Sequence, residues 1–194
     1  MGLTGGLGAG KSTALAALQR LGAAVLSTDA VVHELYAGER LRDAVVERWG
    51  PAVAPGGVVD RSAVAERAFS HQAEREWIEG LLWPLVGARV AEWLAQVRAG
   101  QAGPTRPRAA VVETPLLFEA GMESLYDATI AVVSDERLRE ARAAARGHAL
   151  PDERAARQLP QREKARRATF VVRNDGTEED LERELSAVLD KLEA

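Results

Sequence analysis

Short apolar runs alternate with segments of helical pattern along most of the chain. The apolar runs predict buried strands at residues 1–4, 23–26, 109–113, 128–133 and 169–173. Strands that alternate with helices in this way are typical of an α/β protein with a parallel sheet, because the helices connect and cover parallel strands. We therefore predict a three-layer α/β fold with a five-stranded parallel sheet.

Apolar residues at helical spacing predict that the segments between and after these strands are helices. The predicted helices span residues 13–21, 30–50, 60–69, 72–98, about 135–145 and 177–192. Pro84 falls inside one of them and predicts a kink or a break. The helices between residues 30 and 98 form a block without a strand, which is too long for a simple crossover. We predict that this block is an inserted subdomain on the substrate side.

A glycine-rich motif joins the first strand to the first helix. Residues 5–12, Gly-Gly-Leu-Gly-Ala-Gly-Lys-Ser, match G-x-x-x-x-G-K-[ST]. Such a loop wraps its backbone N–H groups around nucleotide phosphates, and the helix that follows adds the positive end of its dipole. Lys11 would bridge the β- and γ-phosphates, and the Ser12 hydroxyl would be a ligand of Mg²⁺. The predicted nucleotide-binding residues are Gly8, Ala9, Gly10, Lys11, Ser12 and Thr13.

Composition and charge exclude several classes of protein. The 194-residue chain has no cysteine, so thiolate metal sites and disulfides are excluded. No apolar stretch approaches the length of a membrane span, and the N-terminus is phosphate loop rather than signal peptide. The net charge of −4 argues against general nucleic-acid binding. We expect a soluble, cytoplasmic monomer with no nucleic-acid or membrane partner.

One region departs from this acidic average. Residues 137–173 contain eleven basic residues, ten Arg and Lys164, against four acids, Glu140, Asp152, Glu153 and Glu163. The region has too few acids to pair its own cations, which favours a phosphate-facing surface over a solvated helix with ion pairs. Arg146 lies four residues after Arg142 and so shares its helix face, and Arg154 follows a Gly-containing hinge. These arginines predict a lid that closes over phosphates.

Two acids at predicted strand ends are candidates for chemistry. Asp29 follows the second strand and could accept the proton of an acceptor hydroxyl, or it could cap the next helix. Glu113 ends the third strand and could hold Mg²⁺ through water, position the acceptor, or be a turn residue. The carboxyl ends of parallel strands are where ligands gather in open α/β sheets.

The motifs present and absent narrow the reaction. A GTPase needs a base-reading N-K-x-D segment, and the sequence contains none. A small-molecule kinase fits the length, the phosphate loop and the arginine-rich region. Two alternatives stay open at this point: a kinase for another hydroxyl acceptor, such as a nucleoside or a sugar acid, and a nucleotide-gated binding protein without turnover.

Several segments carry motifs that occur together in one family. They are residues 2–13, Thr28-Asp29-Ala30, Val59-Asp60-Arg61, Pro115-Leu116-Leu117-Phe118-Glu119, Arg154 with Gln158-Leu159-Pro160, and residues 171–176. Over nearly the whole chain they resemble the dephospho-CoA kinase family, with its G-L-T-G-G loop, D-A-D, L-D-R, P-L-L-F-E, R-x-x-x-Q-M-P and V-I-x-N-x-G segments. The second Asp of D-A-D is kept as Asp29. Two positions depart from the family: Trp83 replaces a common His, and Glu113 replaces an Asp.

The resemblance implies a reaction and a role for individual residues. It implies ATP-dependent phosphorylation of the ribose 3′-hydroxyl of dephospho-CoA, the last step of coenzyme A synthesis. Asp29 would be the base, Arg146 and Arg154 would contact phosphate together with Lys11, and Asn174 would lie near the adenine. The cofactors implied are ATP and Mg²⁺.

The predicted domains follow from the motif and the helical block. Residues 1–29, 109–145 and 168–194 would form the nucleotide-binding core. Residues 30–108, linker included, would form the helical subdomain for dephospho-CoA, and residues 146–167 would form the lid.

Overall fold

A five-stranded, fully parallel sheet organises the chain. The computed structural model describes residues 1–145 and 158–193. The strands are β1 (Gly2–Gly5), β2 (Ala24–Ser27), β3 (Ala110–Glu113), β4 (Thr129–Val133) and β5 (Phe170–Arg173). They are hydrogen-bonded in the order β2-β3-β1-β4-β5, with every neighbouring pair parallel. The predicted parallel sheet is confirmed, and β1, which leads into the glycine-rich loop, is its central strand.

Helices connect these strands and form the remaining layers. They are α1 (Lys11–Arg20), α2 (Thr28–Ala37), α3 (Glu39–Trp49), α4 (Arg61–Ser70), α5 (Gln72–Arg98), α6 (Glu136–Ala145), α7 (Gln161–Arg167) and α8 (Glu178–Glu193). Short 3₁₀ turns lie at Pro51–Val53, Pro55–Gly57 and Glu123–Leu125. Across residues 1–145 and 158–193, no helix combines the length and apolar character needed to cross a membrane.

Two features of the helical block differ from the predicted pattern. The single stretch predicted over residues 30–50 is two helices that meet at Gly38, where a glycine offers little helix propensity. Pro84 was expected to kink or break its helix. A break is wrong, because α5 is continuous through this residue. Proline removes only one hydrogen bond from a helix, and a helix of 27 residues retains many others on both sides.

The chain divides into two compact units, and the first contains the sheet. Residues 1–27 and 94–194 form this unit, and residues 28–93 form the other. Between the sheet and the helices α1 and α8 lies an apolar core. Leu3, Leu18, Ile130 and Leu185 within it are fully buried. This core packs α1, the helix that follows the glycine-rich loop, against the strands.

The helical unit has its own core, closed at one side by a polar cluster. Leu41, Val45 and Ile78 are buried in it, and the rings of Trp49 and Trp77 meet edge to face at 5.0 Å. Elements that bury their own apolar residues in this way can form a separate subdomain.

The polar cluster centres on Glu74 in α5. Its carboxylate accepts hydrogen bonds from Arg48 Nε (3.1 Å) and Nη2 (2.9 Å) and from Trp49 Nε1 (2.6 Å). The hydrogen bonds from Arg48 and then Trp49 hold the pKa of Glu74 below its usual value, because they favour the ionised carboxylate. Glu74 thereby connects α5 to the end of α3.

We predict that Glu74 stabilises the protein at neutral pH and that this contribution is lost in acid. A carboxylate whose pKa is lowered by folding stabilises the protein above its unfolded pKa, and this stabilisation is lost as pH falls through the folded value. Glu74→Gln should therefore lower the thermal unfolding temperature at pH 7 and make its decline below pH 5 shallower than in the parent protein. Thermal unfolding followed by circular dichroism between pH 7 and pH 3 measures both effects.

The matched control is Glu76→Gln, which removes an exposed carboxylate from the same helix. This variant should follow the parent curve at every pH. Identical curves for Glu74→Gln and Glu76→Gln would show that the cluster around Glu74 adds no pH-dependent stability.

Candidate active site

The glycine-rich loop leaves the carboxyl end of β1 and ends at the start of α1. Gly8 and Gly10 have positive φ angles of 73° and 92°, which non-glycine residues rarely adopt. Gly10 precedes the first residue of α1, and no side chain caps this helix. A helix N-terminus without a side-chain cap presents N–H groups and a positive dipole end, which suit an anion. The loop therefore has the backbone form of a phosphate-binding site.

Space as well as φ requires glycine in this loop. A Cβ atom on Gly10 would overlap the Asn174 side-chain amide, and one on Gly8 would overlap the backbone carbonyl of Arg139. The loop is therefore packed directly against α6 and against the end of β5. This close approach holds the backbone of the loop in one conformation.

Asn174 holds the loop through a buried hydrogen bond. Its side chain is buried, and its Nδ2 donates a hydrogen bond of 2.9 Å to the Ala9 carbonyl. Its own backbone carbonyl accepts from Ser134 Oγ (3.0 Å) and Arg142 Nη1 (2.9 Å). Asn174 thus connects the loop to α6 and to the residue that follows β4, contacts that its position after the last strand did not predict.

Leu7 is fixed through both of its backbone polar groups. Its N–H donates to Gln158 Oε1 at 3.0 Å, and its carbonyl accepts from Arg139 Nε at 3.0 Å. These residues line a cavity of about 270 Å³ together with Gly6. Sequence reasoning gave neither Arg139 nor Gln158 a role toward the loop, because both lie more than a hundred residues from it in the chain. The only signal was the Q-M-P-like segment at Gln158.

The predicted loop residues lie together in this arrangement. Lys11 begins α1, is half-buried, and its Nζ donates to the Gly6 carbonyl at 3.2 Å. Ser12 is exposed in the first turn of the same helix, and Thr13 follows it. A hydroxyl at this place is accessible to a cation bound beside phosphate.

An internal ion pair lies behind the loop. Lys164 in α7 is fully buried, and its Nζ contacts Glu119 Oε1 (2.9 Å), the Pro115 carbonyl (2.7 Å) and Thr4 Oγ1 (3.4 Å). Burial lowers the pKa of Lys164, and Glu119 opposes that shift by favouring the charged form. Three acceptors match the three donors of an ammonium group, so this cation is satisfied inside the protein.

Two acids predicted for chemistry have different surroundings. Glu113 is the last residue of β3, is buried, and its Oε2 accepts a hydrogen bond of 2.7 Å from Ser27 Oγ on the neighbouring strand. It is therefore a strand residue and not a turn residue. Asp29 is exposed in the first turn of α2, within the helical unit. The helix begins one residue earlier, at Thr28, so Asp29 lies inside the helix and not at its N-cap position.

The basic region is described only in part, and the two predicted lid arginines, Arg146 and Arg154, lie outside the described residues. Acids from elsewhere in the chain pair with some of its other members. Glu119 pairs with Lys164, and Glu123 with Arg167. The expectation that this region lacks acidic partners is therefore wrong for these two cations, because folding supplies acids that are remote in sequence.

Fold and site together define a class. A central parallel strand, a G-x-x-x-x-G-K-S loop at its carboxyl end and an uncapped helix after it are the features of a P-loop kinase. The family model "Dephospho-CoA kinase" matches residues 1–180. The chain belongs to the dephospho-CoA kinase family and is an enzyme of the kinase class.

Individual relatives agree with this assignment. The Dephospho-CoA kinase of Deinococcus radiodurans is 38% identical, and the match covers all of this chain and 92% of the relative. The Dephospho-CoA kinase of Thermus thermophilus is 36% identical over 99% of this chain and 91% of the relative. A crystal structure of a Thermus thermophilus protein superposes with a TM-score of 0.80 at 36% identity, covering 98% of this chain and 96% of that one.

We predict that Gly10→Ala abolishes ATP binding and destabilises the fold. The substitution adds the strain of a positive φ and an overlap with Asn174. Gly56→Ala is the matched control, because Gly56 is also left-handed, with a φ of 65° and a ψ of 17°, and no atom lies within 4 Å of the place that its Cβ would take. The left-handed conformation alone should cost about 1–2 kcal/mol in this control.

Calorimetric ATP titration and thermal unfolding separate the two contributions. Gly10→Ala should unfold at a lower temperature than Gly56→Ala and bind no ATP, and Gly56→Ala should bind ATP like the parent protein. ATP affinity equal to the parent in Gly10→Ala would contradict the assignment of this loop as the phosphate site.

Proposed function

We propose that this protein transfers the γ-phosphoryl group of ATP to the ribose 3′-hydroxyl of dephospho-CoA, which gives coenzyme A and ADP. This is the reaction of the family to which the chain belongs. One observation supports the proposal most directly. The glycine-rich loop has the backbone form of a phosphate site and contains Lys11, in a chain that matches the family model over residues 1–180. We also propose that the protein is a soluble, cytoplasmic monomer and that its substrate is this small molecule.

The loop residues divide the work on the nucleotide. The backbone from Gly8 to Thr13 binds the phosphates, and Lys11 offsets the charge that develops on the transferred group. Asn174 supports the loop through Ala9 and is also the residue that we assign to the adenine end of the nucleotide. The residues present fit ATP, because glycine alone satisfies both the φ angles and the space at Gly8 and Gly10.

Ser12 is the protein ligand that we assign to Mg²⁺. Within residues 1–145 and 158–193, no three His, Cys, Asp or Glu side chains group closely enough to hold a metal ion. Mg²⁺ commonly takes only one or two protein ligands and completes its shell with substrate phosphates and water. An exposed hydroxyl in the first turn of α1 suits that mode of binding. The ion would supply charge neutralisation at the phosphates.

Asp29 is the residue that we assign to the acceptor hydroxyl. Its carboxylate takes the proton of the 3′-hydroxyl as the oxygen forms its bond to the γ-phosphorus, and the bond from phosphorus to the ADP oxygen breaks. Asp29 is exposed and lies two residues after the end of β2. Glu113 holds Ser27, the last residue of that strand, through the 2.7 Å hydrogen bond between their side chains. We propose that Glu113 positions the chain that leads to Asp29.

Arg146 and Arg154 complete the proposed site. Phosphoryl transfer spreads negative charge over three equatorial oxygens, and planar guanidinium groups donate two hydrogen bonds at once to such oxygens. We assign Arg154 to the transferring phosphates on the basis of its place in the family motif, and Arg146 because the resemblance implies a second lid residue there. The helical block from residue 30 to 98 is assigned to dephospho-CoA.

The substrate is tested first by ADP release. A coupled assay with MgATP should report ADP formation only when dephospho-CoA is added, and the product should carry the new phosphate on the 3′ position by mass spectrometry and ³¹P NMR. Nucleosides and sugar acids in the same assay test the other acceptors. ADP formation with one of these and not with dephospho-CoA would contradict the proposed function.

The role of Asp29 is tested by Asp29→Asn. This variant keeps the size of the side chain and removes its basicity, so ATP affinity should be unchanged and kcat should fall about 10²–10⁴-fold. Asp43→Asn removes an exposed Asp from α3 in the same unit and should retain parent activity. A kcat within threefold of the parent value in Asp29→Asn would exclude Asp29 as the base.

A further inference from the structure

The Glu119–Lys164 ion pair touches two segments that meet at the phosphate loop. Lys164 Nζ contacts Thr4 Oγ1 at 3.4 Å, and Thr4 directly precedes the first glycine of the loop. Glu119 Oε1 accepts a hydrogen bond of 2.7 Å from the Leu159 N–H. One buried pair therefore connects the end of β1 to the segment that leads into α7.

This segment in turn fixes the loop itself. Gln158 is the neighbour of Leu159, and its Oε1 accepts the Leu7 N–H at 3.0 Å. Because the Leu159 N–H is bound to Glu119, the backbone next to Gln158 cannot move without breaking a hydrogen bond to a buried carboxylate. Such a bond is about twice as strong as one between neutral groups.

The surroundings of the ion pair indicate that it positions neighbouring groups as well as filling the core. The second oxygen of Glu119, Oε2, is buried and has no hydrogen-bond partner among the described residues. A buried ion pair is weak evidence for stability, because apolar residues of similar volume often stabilise a protein as well or better. What apolar residues cannot do is hold the Leu159 N–H and Thr4 in fixed positions.

We propose that Glu119 and Lys164 are positioning residues that set the phosphate loop through Gln158 and Leu7. The inference rests on the proposed function for its effect on turnover. The pair touches neither nucleotide nor acceptor, and its effect passes through the geometry of the Leu7 backbone. Small displacements of a reacting group cost rate even when they originate far from the chemistry, on the order of 10²-fold for about 1 Å.

The test uses two changes and their combination. The double variant Glu119→Met/Lys164→Met, called the charge-free pair below, removes both charges at similar side-chain volume, so folding should be retained. Gln158→Met removes only the acceptor of the Leu7 N–H. Both proteins should show an upfield shift of the Leu7 amide proton in ¹H–¹⁵N NMR spectra. Lys191→Met, which alters an exposed lysine of α8, should leave the Leu7 signal and the activity unchanged.

Turnover supplies the second measurement. The charge-free pair and Gln158→Met should each lower kcat about 10–100-fold, with KM for dephospho-CoA within threefold of the parent value. The combined variant should be no slower than the slower of the two, because both changes act through Leu7. An unshifted Leu7 amide in the folded charge-free pair, or kcat losses that multiply in the combination, would overturn the inference.

The two proposals fail in distinguishable ways. A parent protein that does not turn over dephospho-CoA would contradict the proposed function, and the Leu7 amide shift would still decide whether the pair sets the loop. Should the charge-free pair not fold, Glu119→Leu with Lys164→Met removes the same two charges with a different apolar side chain and is measured in the same way, with the same two outcomes for Leu7.

Discussion

The structure depends on one close contact: the glycine-rich loop lies directly against the backbone and side chains of elements from the second half of the chain. Gly8 meets the carbonyl of Arg139, and Gly10 meets the amide of Asn174, with no room for a Cβ atom at either position. The order of the strands makes this contact possible. Because β1 lies beside β4, the segments that follow β4 and β5 reach the loop. A phosphate site of fixed shape is the consequence.

Part of the basic region has a structural role. Lys164 is buried against Glu119, and Arg139 holds the Leu7 carbonyl and pairs with Glu136. These cations support the loop from within the protein. Arg146 and Arg154 are the members that we assign to phosphate. A surplus of positive charge in the sequence thus includes cations that folding pairs with remote acids or with backbone carbonyls.

Local patterns predicted much of the fold for physical reasons. Runs such as residues 128–133 are apolar enough to be buried on both faces, which is the situation of a central parallel strand. The break expected at Pro84 was wrong, because the rest of a long helix outweighs one missing hydrogen bond. The division of residues 30–50 at Gly38 was also missed, since a single glycine is a weak signal inside a helical pattern.

Short local patterns were enough to predict the parallel sheet, the phosphate loop and the family, because each strand, loop and motif is made of residues that are neighbours in the chain. The tertiary structure alone decided the strand order and the partners of the loop. Gln158, Asn174 and Arg139 are more than a hundred residues from the groups that they bind. Hydrogen bonds over such separations leave no periodic trace in the sequence, since they require only that folding bring one donor and one acceptor together.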